Sequence, residues 1–177
     1  MKKEKLKKHV FAFLILISLS ISAQEKETEC KHFRISPVIS HTYIPTATAE
    51  GTETIIIPSI GLDLEYWFSH KFGLGLHNDL ELLNYEIEKP SHELIVEREY
   101  PVVITFDALA KVYKDLVVVF GAGVEFEKTK NLFIVRTGLE YEIEFAKHWD
   151  LAPTILYDYR KDEFGTWSMG IGIGRRF

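Results

Sequence analysis

From residue 32 onward, large apolar side chains recur at every second position, and no long stretch keeps the period of an amphipathic helix. This alternation, broken by short polar stretches, predicts about eight β-strands. The first, at 32–44, carries Phe33, Ile35, Ile39 and Tyr43 on one side, with Pro37 weakening it, and a polar loop is expected at 45–54. The second, at 55–68, alternates Ile60, Leu62, Leu64, Tyr66 and Phe68 with Gly61, Asp63, Glu65 and Trp67. In the third, Phe72, Leu74, Leu76, Leu80 and Leu82 oppose Gly73, Gly75, His77, Asp79 and Glu81, and Asn78 breaks the apolar side without an evident reason. The next three strands centre on Tyr100–Val112, Leu116–Phe126 and Phe133–Phe145, and the seventh on Trp149–Tyr159. Tight turns are expected at 69–71, 114–115 and 147–148.

The last strand is the most informative. In 165–177, Trp167, Met169, Ile171, Ile173 and Phe177 share one face, while Ser168, Gly170, Gly172, Gly174 and Arg176 share the other. A soluble sheet gains nothing from a row of glycines facing water. Alternation alone does not say which face is inside, but the amount of apolar side chain does. Strands two to eight carry about three dozen large apolar residues on one face, against roughly twelve that fill an eight-stranded core. They do not fit inside. The face rich in glycine suits a narrow lumen, so the apolar face points outward, which over a whole barrel only lipid tolerates. The fold class expected is therefore all-β: an antiparallel up-and-down transmembrane β-barrel of about eight strands. The competing architecture is a secreted β-sandwich or lipocalin-like soluble barrel, with the same apolar face turned in.

The start of the chain changes the picture in the same direction. A basic opening, an apolar run of about twelve residues and small residues at Ser20, Ser22 and Ala23 predict a cleaved secretory signal peptide over 1–23. The run is short of the roughly twenty residues a spanning helix needs. A short periplasmic segment, 24–31, then precedes a barrel domain at 32–177. The formal net charge of −5 becomes more negative once the basic leader is removed, which leaves no basic footprint for nucleic acid. Cys30 is the single cysteine, so neither a disulfide nor a cysteine-based metal site is available, and neither a cofactor nor a metal is implied.

With the amino terminus in the periplasm, Phe68, Phe72, Tyr113, Phe145, Trp149 and Phe177 gather at one interface. Tyr43, Tyr100, Phe126, Phe133, Tyr157, Tyr159 and Trp167 gather at the other, forming two aromatic belts. On these residues the chain resembles the small eight-stranded outer-membrane proteins of the OmpA/OmpX type. The resemblance implies a bacterial outer-membrane location, outer-membrane lipid as surroundings, and recognition by the barrel-assembly machinery. The assembly signal of that group is a glycine, apolar residues at alternate positions and a terminal Phe. Gly172 and Phe177 match it, whereas Arg175 stands where an apolar residue is usual.

The polar face concentrates charge. Simple hairpin registers bring Asp63 opposite His77 and Arg136 near both Glu125 and Asp158; with Arg176 these form the expected lumen charge network. Unpaired buried charge costs several kcal/mol, so a salt-bridged plug is the expectation, with a narrow ion or small-solute conduit as the alternative. Lipid-modifying catalysis would need a Ser/His pair near the rim, for which Ser40, His41, Ser91 and His92 are the candidates, and no nucleophile elbow or H-E-x-x-H spacing accompanies them. The segment 83–101 exceeds the nine to eleven residues of a membrane strand and should project as a hairpin offering an edge to a surface partner.

Overall fold

The computed structural model describes residues 32–48, 51–88, 95–161 and 163–177. The expected signal peptide, the segment 24–31 with Cys30, and Ser91 and His92 lie outside the described residues. Eleven strands are formed: β1 (Phe33–Thr48), β2 (Gly51–Trp67), β3 (Phe72–Glu81), β4 (Tyr85–Glu88), β5 (Ile95–Arg98), β6 (Val102–Tyr113), β7 (Leu116–Phe126), β8 (Leu132–Tyr141), β9 (Ile143–Ala146), β10 (Trp149–Arg160) and β11 (Gly165–Arg176). Each barrel strand pairs antiparallel with its neighbour in the order β11-β1-β2-β3-β6-β7-β8-β10, and β10 pairs back onto β11. β9 continues β8 against β10, setting Ile143 opposite Leu151 as β8 sets Glu140 opposite Thr154. The result is a closed eight-stranded antiparallel barrel, without a free sheet edge around its wall.

The two faces of the wall separate as the alternation requires. Phe33, Ile39, Phe68, Phe106, Phe120, Phe133, Phe145 and Ile171 are exposed, while Arg34, Ser36, Glu65, His77, Asp107, Arg136 and Asp158 are buried. The outward face thus carries apolar side chains and the lumen carries charge. Asn78, the polar exception on the outer face, is accounted for by the backbone. Its amide accepts from the Leu62 N–H at 3.3 Å and donates to the Leu62 carbonyl, between the ladder pairs Gly61–Asp79 and Leu64–Leu76. The side chain stands in for a missing rung, which keeps both Leu62 backbone groups paired.

Three differences from the alternation pattern are instructive. Pro37 interrupts the β1–β11 ladder only between Ile35 and Val38, and β1 continues past it to Thr48, sixteen residues in all. The stretch 45–54 is not a loop for most of its length: β1 and β2 stay in register to Thr48 and Gly51, beyond the last rungs that β11 and β3 provide at Tyr43 and Ser59. Its four threonines favour extended backbone, which outweighs their polarity as a loop signal. Finally, the lumen is not polar throughout. Trp67, Leu109, Val117 and Val119 form a buried apolar cluster inside it, with Leu156 packed against them.

One end of the barrel, here the turn end, is sealed by a ring of backbone bonds. The N–H of Trp67 donates to the His32 carbonyl, Lys111 to Lys71, Glu142 to Asp115, Arg176 to His148 and Phe177 to Phe33, all within 2.7–2.9 Å. Lys114 and His148 turn the chain there with left-handed φ of 47° and 68°.

Candidate functional site: the lumen and its covered mouth

Three charge clusters are stacked along the lumen. Nearest the turn end, Arg34 projects from β1 and is 1% exposed. Its Nη2 donates to Asp150 Oδ1 at 2.6 Å, its Nη1 lies 2.8 Å from Glu140 Oε1, and Nη1 also binds Glu65. Glu65 in turn accepts from the Trp67 indole N–H at 2.6 Å. Beside it, Glu142 accepts from Lys111 Nζ at 2.5 Å and from Arg176, and both of those cations lie over the Trp67 ring. The bare face of β11 leaves room for this cluster: a Cβ on Gly174 would run into Arg34 Nε and Asp150 Oδ1.

In the middle, Arg136 donates in a fork to Asp158 at 2.7 and 2.8 Å and reaches Asp79 at 3.1 Å. His77 Nδ1 lies 3.0 Å from Asp107 Oδ2, and the Thr105 hydroxyl donates to that same oxygen at 2.6 Å. Between these groups lies a cavity lined by Ser40, Asp63, His77, Asp79, Arg136 and Glu140, with room for about one water molecule.

At the other end, the loop end, Glu125 is held between two arginines. Arg160 Nε, from β10, donates to it at 2.5 Å, and Arg98 Nε approaches it at 3.1 Å. Arg98 comes from outside the wall, on β5. β4 and β5 form a two-stranded sheet of their own that pairs Tyr85 with Arg98 and Ile87 with Val96. Tyr85 and Ile87 pack on Ile44 and Ile57, with Ile55 and Phe164 alongside, so this hairpin covers the mouth. Arg98 Nη1 also donates to the Lys130 carbonyl at 2.6 Å and lies 3.5 Å from Glu127. Partial desolvation of Glu127 acts against its charge, but bonds from the Thr129 hydroxyl and from nearby N–H groups prevail and hold its carboxyl below the usual range.

The residues singled out from the sequence are distributed as follows. The β2–β3 register, with Gly61 opposite Asp79 and Leu64 opposite Leu76, carries Asp63 to His77, while the imidazole pairs with Asp107 instead. Arg136 takes Asp158 and Asp79; Glu125 pairs elsewhere, with Arg160 and Arg98. Arg176 joins Glu142. Gly172 faces the lumen beside Ser36, and Phe177 is exposed at the turn end. Arg175 lies outside on the belt, its guanidinium 5.2 Å from the Trp149 ring centre and 5.0 Å from that of Phe177, which suits a cation at an interface. Arg34, Asp150 and Arg98 were not singled out. Arg34 alternates with Phe33 and Ile35, a signal that was readable, whereas nothing local marks Arg98 as reaching the lumen. Ser40 is buried in the lumen and His41 is exposed, so adjacent strand positions point them to opposite faces and they form no catalytic pair. Among the described residues no group of three or more His, Cys, Asp or Glu is gathered for a metal ion.

No family model matches this chain, and no curated protein does. Solved structures do match. Ail, the attachment invasion locus protein of Yersinia pestis, superposes with a TM-score of 0.57 at 12% identity over 84% of this chain and 100% of its own. Neisserial surface protein A gives 0.52 at 13% identity, covering 82% of this chain and 97% of its own. The outer membrane protein OprG from Pseudomonas aeruginosa gives 0.51 at 15%, over 82% and 96%. At these identities the likeness is one of fold: the chain has the fold of the small eight-stranded outer-membrane β-barrels.

Proposed function

We propose that this protein is a bacterial outer-membrane barrel with a structural or surface-interaction role, its lumen plugged by charged residues, and that it is not an enzyme. The observation that carries this is the continuous apolar outer surface on a closed wall, with exposed rings gathered towards both ends: Phe33, Phe68, Phe72 and Phe145 at one, Tyr100, Phe126, Phe133 and Trp167 at the other. In water such a surface would aggregate; in a bilayer it is the solvated face. The turn end then faces the periplasm and the loop end the outside. Gly172 and Phe177 would be read by the assembly machinery. Surface contact would fall to the outer side of the β4–β5 hairpin, where Glu86 and Glu97 are exposed, since its inner side is packed into the mouth. That one fold neighbour is named an attachment invasion locus protein is in keeping with this role.

The test is gel mobility of the outer-membrane fraction, boiled and unboiled. A heat-dependent shift is expected; soluble periplasmic protein without a shift would turn the sheet inside out. Deleting residues 86–98 should then remove any surface-binding phenotype, and an intact phenotype would remove the hairpin from the proposal. The central cavity and its surrounding carboxylates favour one second reading, a narrow cation conduit. Single-channel recording decides it: the plug predicts a silent barrel.

A further inference from the structure

Four exposed cations stand together at the turn end. Lys71, Lys114 and Lys147 each stand at a tight turn, and Arg175 stands beside the end of β11; all four are exposed. None is engaged in an ion pair, unlike Lys128 and Lys130 at the loop end, which bind Glu99 and Glu163. Each of the four sits next to an exposed ring: Lys71 precedes Phe72, Lys114 lies 5.3 Å from the Tyr113 ring centre, Lys147 follows Phe145 and Ala146, and Arg175 lies over Trp149 and Phe177. The backbone bonds from Lys111 to Lys71, Glu142 to Asp115 and Arg176 to His148 tie the three turns into one rim, so the cations are spaced around a fixed ring. The exposed acids that could neutralise them there are few: Asp115, 4.0 Å from Lys111, and Glu144. At the loop end charges of both signs are mixed: Glu86 and Glu97 are exposed opposite each other on the hairpin, while Lys128 and Lys130 are paired with Glu99 and Glu163.

We infer that this rim is a binding surface for anionic phospholipid, the phosphate of a phosphatidylglycerol-type headgroup meeting each cation while its acyl chains lie on the aromatic belt. This rests on the membrane reading above. Two features support it: charge complementarity with a phosphodiester, and continuity of the cations with the apolar wall that the chains would cover. An ammonium or guanidinium at headgroup depth keeps its hydration and gains a counter-charge, whereas a soluble acidic partner would have no use for the adjoining rings.

The test uses the full mature chain reconstituted into phosphatidylcholine vesicles that contain a trace of spin-labelled phosphatidylglycerol or spin-labelled phosphatidylcholine. The immobilised fraction should favour the anionic label by about threefold, and raised salt should reduce the preference, as for juxtamembrane basic residues near an anionic surface. Combining Lys71→Gln, Lys114→Gln, Lys147→Gln and Arg175→Gln should abolish the preference. Lys128→Gln with Lys161→Gln, at the loop end, should leave it. Equal association of both labels in the unaltered protein would overturn the inference, as would a preference that survives the fourfold change. Loss of the preference on adding millimolar inorganic phosphate would also overturn it, by marking a small-anion site instead of a lipid surface. Boiled and unboiled gels of the same samples show whether the barrel itself is folded. If the fourfold variant does not fold, the Lys71→Gln, Lys147→Gln pair should still halve the preference, and no change would count against the rim.

Discussion

The two ends of the lumen solve the same electrostatic problem with opposite signs and different connectivity. At the turn end one cation, Arg34, is surrounded by Glu65, Glu140 and Asp150, and all four residues belong to the wall strands β1, β2, β8 and β10. At the loop end one carboxylate, Glu125, lies between two cations, and only Arg160 belongs to the wall. The other, Arg98, arrives on a hairpin with its own two-stranded sheet. Losing the central group at the turn end strands three acids in a space that the closed wall does not open to water. Losing Arg98 leaves Glu125 its stronger partner and frees only the cover. The first cluster therefore holds the barrel together, while the second holds a separable element on it.

The comparison can be broken most severely at Arg34. Arg34→Leu should cost about 3–5 kcal/mol, as breaking a buried ion pair by removing one partner does, read as a lower urea midpoint for unfolding from vesicles. Arg136→Leu strands Asp158 and Asp79 and should lower the unfolding temperature of the folded barrel; an unchanged temperature would deny the middle cluster a structural role. Gly174→Val crowds the same turn-end cluster from the other side, and overpacking of this kind costs about 1–3 kcal/mol. Arg98→Ala should change the midpoint least of the three arginines, by about 1 kcal/mol, because Glu125 keeps Arg160. Its signature should be faster proteolysis within 85–98 with the heat-dependent gel shift intact. If Arg98→Ala lowers the midpoint as far as Arg34→Leu, the hairpin is part of the barrel and the contrast between the ends fails. Similar in size, Asn78→Ala removes two bonds to Leu62 on the outer face and should cost about 1 kcal/mol without touching the lumen.

How far the chain could be read without the fold differs between its parts. Strand positions, the outward face and the aromatic belts follow from alternation, since neighbouring residues on a strand point to opposite sides whatever they pair with. Lumen pairing followed only in part. Hairpin registers brought Arg136 to Asp158, but not Glu125 to its partners, because Arg160 and Arg98 both reach it from elements that do not neighbour β7 in the sheet. The apolar cluster of Trp67, Leu109, Val117 and Val119 sits on the inward phase of its strands, where the alternation places Trp67 but does not mark the other three. The extension of β1 and β2 to Thr48 and Gly51 was masked by threonines, which look polar in a loop and are at home in a strand.

By itself, then, the sequence determined an alternating all-β chain with too much apolar side chain on one face to be enclosed, and a last strand whose glycines ask for a narrow interior. Both are local or additive properties, summed along the chain without knowledge of partners. Only the tertiary structure decided that Arg34 is the hub of the turn end, that Arg98 reaches into the mouth, and that Arg175 rests on Trp149 and Phe177 outside. Those facts depend on the register between strands distant in sequence and on how a hairpin folds back over the wall. A short-range pattern carries no information about either, because side chains of the same phase can meet any of several neighbours across a closed lumen.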